Sequence, residues 1–192
     1  MDIIIDISNT VLETDRLILR AWKESDLNDF YEYASTPGLG EMAGFSPHKS
    51  IDISKSVLQS FILHKNEFAV VEKLSNKVIG SVGLQESWAN NDSPYSNFKM
   101  KNIGYVLSKP YWGKGLMPEA VKSVITFCFK NYDLEALTCG HIISNNQSKR
   151  VIEKCGFTYV KQTEYFDSCL QMNFSGMRYI LFKNQFLFPH SV

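Results

Sequence analysis

The chain has 192 residues, 44% of them hydrophobic and 21% charged, values that suit one soluble globular domain over residues 1–192. Lys plus Arg equals Asp plus Glu at 20 each, so no basic excess points to a nucleic-acid partner. No stretch approaches the ~18 apolar residues of a membrane span, and Met1-Asp2-Ile3-Ile4-Ile5-Asp6 has acids where a signal peptide needs a basic region, so neither a membrane nor a leader is expected.

The first ten residues read as a loose lead-in, and Leu17-Ile18-Leu19-Arg20-Ala21-Trp22 reads as a strand. Ser25 is expected to cap a helix with Leu27, Phe30, Tyr31 and Ala34 on one face, broken by Pro37-Gly38-Leu39-Gly40. The spacing of Val57, Leu58, Phe61 and Ile62 predicts a second helix from about Asp52 to His64. Phe68 to Glu72 and Val78 to Leu84 have strand character, and the polar break Ser75-Asn76 makes them a hairpin. Residues 87–99 are polar and irregular and read as a loop. Ile103 to Leu107 is a strand that stops at Lys109-Pro110. A helix follows from about Leu116 to Lys130, with Met117, Ala120, Val121, Val124, Ile125 and Cys128 on its apolar face. Leu137 to Ile142 is a strand, and Ser148 to Cys155 is a short helix ended by Gly156. Strands near Phe157–Glu164 and Met177–Phe182 close the chain. Strands alternate with helices only in the second half, which predicts an α+β (α/β mixed) fold on a mixed sheet.

Cys128, Cys139, Cys155 and Cys169 show no C-x-x-C spacing, and Cys128 and Cys155 fall on apolar helical faces. All four read as reduced thiols, hence a cytoplasmic protein. The four histidines are scattered and give no metal-ligand spacing.

The chemistry concentrates in two segments. In the first, the strand Ile103-Gly104-Tyr105-Val106-Leu107 runs through Trp112-Gly113-Lys114-Gly115 into the helix opened by Leu116-Met117-Pro118. Free N–H groups at a helix start, glycines that admit a close approach and the charge of Lys114 suit a phosphate or pyrophosphate. The loop is not a Walker A motif, because Gly115 follows Lys114, and not G-x-G-x-x-G, because residue 118 is proline. Taken alone it also fits a plain strand-to-helix turn. In the second, Asn145-Asn146-Gln147-Ser148 opens a helix that ends in Glu153-Lys154-Cys155-Gly156-Phe157, which taken alone fits an Asn N-cap on a core helix.

Together the two segments resemble the GNAT acetyltransferases. Trp112-Gly113-Lys114-Gly115-Leu116-Met117 is similar to the family's Q/R-x-x-G-x-G/A coenzyme A loop, and Asn145-x-x-Ser148 with Glu153-Lys154-Cys155-Gly156-Phe157 to its N-x-x-S…E-K-x-G-F helix. Leu12-Glu13-Thr14-Asp15-Arg16-Leu17-Ile18-Leu19-Arg20 resembles the opening of the ribosomal-protein N-acetyltransferase group. The resemblance spans roughly residues 12–183. It implies the GNAT acyl-CoA N-acyltransferase fold, with a six- or seven-stranded mixed sheet flanked by about four helices. It also implies acetyl transfer from acetyl-CoA to a primary amine, a peptide N-terminus or a small molecule. The departures are Trp112 for Gln or Arg, Met117 for Gly or Ala, Ile152 for a tyrosine that many members use as an acid, and Asn102 for a glutamate that many relatives use as a base.

By this resemblance the strand of Tyr105, Val106 and Leu107 splays from that of Thr138–Ile142 to admit the pantetheine arm. An N–H near Val106 or Leu107 polarises the thioester carbonyl, Asn145 holds the arm, and Ser148 donates to the departing sulfur. Residues 112–118 bind the cofactor, with its pyrophosphate at 113–117. For the base, Glu86 ends a strand near the acceptor, with Trp88 as a wall; Glu41, His48, His141, Asp167 or a water are the alternatives. A coenzyme-A-binding sensor on the same fold is the rival reading, argued from the missing tyrosine and glutamate. A nucleotide-binding protein is a second, weakened by the absence of Walker A chemistry. The balanced charge speaks weakly against a strongly acidic pocket for polycations, and monomer and homodimer are equally open.

Overall fold

The computed structural model describes residues 3–167 and 170–187. Eight strands form one mixed sheet: β1 (Val11–Glu13), β2 (Leu17–Ala21), β3 (Glu67–Glu72), β4 (Val78–Glu86), β5 (Met100–Leu107), β6 (Ala136–Ile142), β7 (Thr158–Asp167) and β8 (Met172–Phe182), in the order β1-β2-β3-β4-β5-β6-β8-β7. Six helices accompany it: α1 (Leu27–Ala34), α2 (Gly40–Ala43), α3 (Ile51–His64), α4 (Leu116–Asn131), α5 (Asn146–Lys154) and α6 (Lys183–Leu187). The class is as expected, but the counts exceed the six or seven strands and four helices read from sequence. The additions are short: β1, α2 and α6 have 3, 4 and 5 residues, too few for periodicity to register.

The lead-in is not loose. Ile5 and Ile7 are 3% and 0% exposed, and the Ile7 N–H donates to Lys65 O at 2.9 Å. Their two-residue alternation with exposed Ile4, Asp6 and Ser8 is the signature of a half-buried extended chain, obscured by the acids between the isoleucines. Ser25 does not cap α1 either. It lies inside a 3₁₀ turn, Glu24–Asp26, and the buried Asp26 stands at the N-cap position of α1 without a side-chain bond to that helix. Its carboxylate accepts from Lys23 N at 2.8 Å and from both Arg20 terminal nitrogens at 2.7 and 2.8 Å, tying β2 to the start of α1. Residues 87–99 are also more than a loop. A 3₁₀ turn over Trp88–Asn91 carries Trp88, with Tyr95 and Phe98, onto a small core around Met100, Ala136 and Ile180.

The central β4 is buried from Val78 through Leu84, which is why its sequence is a continuous apolar and glycine run rather than an alternation. On one face of the sheet, α4 packs Met117, Ala120, Val121, Val124, Ile125 and Cys128 against Leu17, Leu19, Phe68, Val82, Leu84 and Ile103. On the other, α1 and α3 cover Ala69, Val71 and Val106 with Phe30, Tyr33 and Leu58. Each fully buried aliphatic or aromatic side chain contributes about 1.5–3 kcal/mol. Cys128, Cys139 and Cys155 are buried free cysteines, and burial pushes each thiol up to about 12. Cys169 lies outside the described residues. No helix among the described residues is long and apolar enough to cross a membrane.

One irregularity positions the site. β5 and β6 run parallel but pair only from Met100–Asn102 to Ala136–Thr138, and beyond that point they part. At the fork, Thr138 Oγ1 lies 3.2 Å from Asn102 Oδ1 and 2.8 Å from Ser87 Oγ.

Candidate active site

A cavity of about 760 Å³ runs through the fork and out past the glycine loop. Gly113 and Gly115 adopt left-handed φ of +77° and +76°, which would cost a residue with a side chain ~1–2 kcal/mol. No side chain caps α4, so its first-turn N–H groups lack a side-chain acceptor where Gly115, Leu116, Met117 and Pro118 line the cavity. Trp112, in place of the family's polar residue, donates its indole N–H to Leu107 O at 2.6 Å and fixes the loop to the end of β5. Met117 is buried in the core, so its side chain leaves the loop clear.

Lys114 is exposed, stacked 5.1 Å from the Tyr111 ring, and outside the cavity lining. The cations that do line it on α5 are Arg150 and Lys154, which in the sequence look like an ordinary solvated helix face. The loop is braced from behind by the residues of the opening motif. Glu119 of α4 accepts from Thr14 Oγ1 at 2.6 Å, Arg16 N at 3.0 Å and Arg16 Nε at 2.8 Å. Arg16 in turn donates to Lys114 O at 2.9 Å. Partial burial pushes the Glu119 carboxyl up, but the bonds from Thr14 and Arg16 outweigh it and hold the group below its ordinary value.

Alternation along β3, β4 and β5 divides the fork into two sides. Tyr105 faces α4 and α5, while Gly104 and Val106 face α1 and α3. On the α5 side, Tyr105 Oη lies 2.8 Å from Ser148 Oγ and donates to Ser148 O at 3.0 Å. Burial raises the Tyr105 phenol well above its ordinary range, so it stays neutral. Asn145 caps α5, accepting from Ser148 N at 3.0 Å, and donates to Met42 O at 3.1 Å, so its amide also anchors α2. Ile152 is 1% exposed and belongs to the core.

On the opposite side stands a residue the sequence reading passed over. Glu67, the first residue of β3, is 9% exposed and is the only carboxylate among the described residues lining the cavity. Burial pushes it up to about 7, and a hydrogen bond with Ser81 offsets only part of the rise. Glu67, Gly83 and Gly104 stand in register across β3, β4 and β5. A Cβ on Gly83 would collide with Glu67 Oε2 and Gln85 Nε2, so glycine makes the trough in which both side chains lie. The available signal was a glutamate abutting the apolar run Phe68-Ala69-Val70-Val71.

Of the expected bases with described side chains, His48 and His141 line the cavity and the two glutamates do not. Glu86 is exposed at the end of β4 and does not line the cavity, and neither does Glu41 of α2. Trp88 does not line the cavity; it packs against Tyr95 at 6.2 Å between ring centroids. His48 does line the cavity, but its Nδ1 is 2.7 Å from Ser54 Oγ, its ring packs on Phe30, and burial lowers its pKa. His141 Nδ1 donates to Ile142 O at 2.8 Å and Nε2 lies 3.1 Å from Tyr179 Oη, which occupies both ring nitrogens. Asp167 ends β7, and its side chain lies outside the described residues.

The sheet order and this fork are those of the acyl-CoA N-acyltransferase fold. The chain belongs to the GNAT acetyltransferases: residues 16–158 match the family model described as acetyltransferase (GNAT) domain. An uncharacterized N-acetyltransferase, p20 of Bacillus licheniformis, is 25% identical over 151 residues, 76% of this chain and 81% of that protein. A putative ribosomal-protein-serine acetyltransferase from Vibrio cholerae superposes with a TM-score of 0.76 at 19% identity, covering 91% of this chain and 98% of that one. A spermidine N-acetyltransferase from Vibrio cholerae, solved with CoA and spermine, gives 0.73 at 17% identity, covering 91% and 99%. At such identities these structures speak for the fold.

Proposed function

We propose that the chain transfers an acetyl group from acetyl-CoA to a primary amine by direct attack, with Glu67 taking the amine proton and Ser148 hydrogen-bonding the departing sulfur. The observation that carries this reading is the fork between β5 and β6, with a buried carboxylate on one side and the Ser148–Tyr105 hydroxyl pair on the other. The uncapped start of α4 and the left-handed glycines fit a pyrophosphate, and Arg150 and Lys154 add cations. When bound, acetyl-CoA supplies the activated acetyl thioester.

Tyr105, Val106 and Leu107 have no β6 partner in the ladder, which leaves their backbone to hold the pantetheine arm and polarise the carbonyl. Glu67 Oε accepts the proton released as the C–N bond forms. Ser148 Oγ–H donates to the sulfur as the C–S bond breaks, and Tyr105 orients that hydroxyl. Asn145 retains one amide N–H for the arm. We assign the base to Glu67 rather than to exposed Glu86. With both roles filled, the missing family tyrosine and glutamate no longer argue for a sensor.

The test is calorimetric titration of acetyl-CoA, then thiol release across a panel of peptides and small amines. Acetyl-CoA should bind to the native protein and not to Gly115→Asp, whose side chain is strained at this φ and negative beside the phosphates. Binding with no thiol release for any amine would favour the sensor, and unaltered binding by Gly115→Asp would displace the pyrophosphate site.

A further inference from the structure

Arg178 is a further charged side chain lining the cavity, and the acyl-transfer chemistry leaves it without a task. It lies in β8, paired with Gly140 of β6 and Lys161 of β7. Gly104 and Gly140 each stand two residues beyond the last β5–β6 pair, Asn102 and Thr138. One row of the sheet therefore runs Glu67, Gly83, Gly104, the fork, Gly140, Arg178, and paired residues project from the same face. The middle of this row has no side chains, and its ends carry opposite charges. Both ends fold inward over glycine. A Cβ on Gly140 would stand 3.1 Å from Arg178 Nη1 and 3.4 Å from its Cδ, much as one on Gly83 would meet Glu67.

The surroundings of Arg178 point to a ligand. It is half-buried, lines the same cavity as Glu67, and its guanidinium carbon lies 5.4 Å from the centroid of the Tyr165 ring. Acids on the adjoining elements have other partners: Asp92 pairs with Lys161, and Glu164 accepts from Ser175 Oγ at 2.9 Å. No carboxylate among the described residues pairs with Arg178. A guanidinium held over a ring face and without a carboxylate partner has N–H donors left for a carboxylate or phosphate.

We propose that Arg178, stacked on Tyr165, is an anion subsite of the acceptor pocket, and that the acceptor is a small amine carrying a carboxylate or phosphate. Its amine lies toward Glu67 and its anionic end on Arg178. The inference rests on the acetyl-transfer reading. Three strand spacings of ~4.8 Å and the wider fork separate the two backbones, more than about 19 Å in all. Less roughly 10 Å of side-chain reach, that leaves at least about 9 Å, so several bonds separate amine from anion. A polyamine fits poorly, because Glu67 is the cavity's one carboxylate among the described residues and Arg178 would repel a second ammonium.

The experiment uses the full chain, wild type beside Arg178→Gln and Arg178→Lys, with melting curves for each. The probes are 4-aminobutyrate, 6-aminohexanoate, glycylglycine, the amides of all three, 3-aminopropylphosphonate and spermidine. Binding is read by ligand-observed NMR with coenzyme A present and absent, and turnover by thiol release. Acids should bind and react at least tenfold better than their amides, and the phosphonate arm distinguishes phosphate from carboxylate. Arg178→Gln should abolish that preference mainly through KM, with acetyl-CoA affinity unchanged, and Arg178→Lys should restore part of it. The subsite is overturned if no anionic amine binds at millimolar concentration, if amides or spermidine bind as well, if Arg178→Gln keeps the preference, or if it loses acetyl-CoA affinity. Arg178-dependent binding without any acetyl-CoA binding would keep the subsite and sink the transfer reading instead.

Discussion

Tyr105 has one hydroxyl hydrogen and two oxygens of Ser148 within reach, at 2.8 and 3.0 Å. While that hydrogen is on Ser148 O, the serine hydrogen points back at the phenol; turned onto Ser148 Oγ, it frees the serine hydrogen for the sulfur. Ser148→Ala should lower kcat roughly ten- to a thousandfold, in the range for loss of a general acid, with little change in acetyl-CoA affinity. Tyr105→Phe removes one neutral orienting bond of about 0.5–1.5 kcal/mol, so a loss of roughly two- to tenfold is expected. Because the tyrosine acts through the serine, the double variant should be no slower than Ser148→Ala alone. Multiplying losses would mean that the two hydroxyls act separately. Glu67→Gln should lower kcat/KM by about 10²–10⁴. The wild-type pH profile should bend near 7, where burial holds this carboxyl, and the bend should be missing from the Gln variant.

At the scale of elements, the glycine loop is only as rigid as the brace behind it. Thr14 and Arg16, from the turn between β1 and β2, hold Glu119 in the first turn of α4, and Arg16 also reaches the loop carbonyl of Lys114. Glu119→Gln keeps the shape and removes the charge. Hydrogen bonds to a charged group contribute about 1.5–3 kcal/mol, but Arg16 is half exposed, so a loss of about 1 kcal/mol in urea unfolding and roughly tenfold in acetyl-CoA affinity is expected. Unchanged affinity would mean that the loop holds its shape without the brace. The elements legible in the sequence are those with a clear period or a marked end: α1, α3, α4, α5 and the strands at Leu17, Phe68, Val78, Ile103, Leu137, Phe157 and Met177. The glycine loop and the Asn145 cap were legible because their conformation demands particular residues. Glu67 was not, since a glutamate at the edge of an apolar run reads as the flank of a strand; only the pairing with Gly83 draws it into the cavity. Glu86 is the converse case: it does not line the cavity, because ending a strand says nothing about which way the carboxylate faces. Arg178 reads in sequence as one more strand cation, and its partnership with Gly140 depends on the order β6-β8-β7.

For the molecule as a whole, a buried carboxylate kept for chemistry lowers stability at neutral pH. The Glu67 pKa rises from 4.5 to about 7 on folding. A raised pKa means that the folded state holds its proton more tightly than the unfolded one. Glu67 therefore favours folding fully below about pH 4.5, and this contribution is lost as pH rises through about 7. A rise of this size corresponds to about 3 kcal/mol, a sizeable part of a typical domain's stability. Groups lowered on folding act with the opposite sign, exposed Asp6 and Asp133 among them. His48, lowered by burial, and Glu119, lowered by Thr14 and Arg16 against its own burial, both add stability as pH rises through their ranges. The wild-type curve alone is thus a mixture, and the difference between wild type and Glu67→Gln isolates one group. Urea unfolding at pH 4.5, 6 and 8 should show the two proteins nearly equal at the lowest pH, with the Gln variant more stable by up to about 3 kcal/mol at the highest. A variant that is slower by orders of magnitude yet more stable at pH 8 would identify Glu67 as a residue retained for proton transfer at the expense of the fold. A variant less stable at every pH would make it a structural partner of Ser81, and the base would have to be sought at His48.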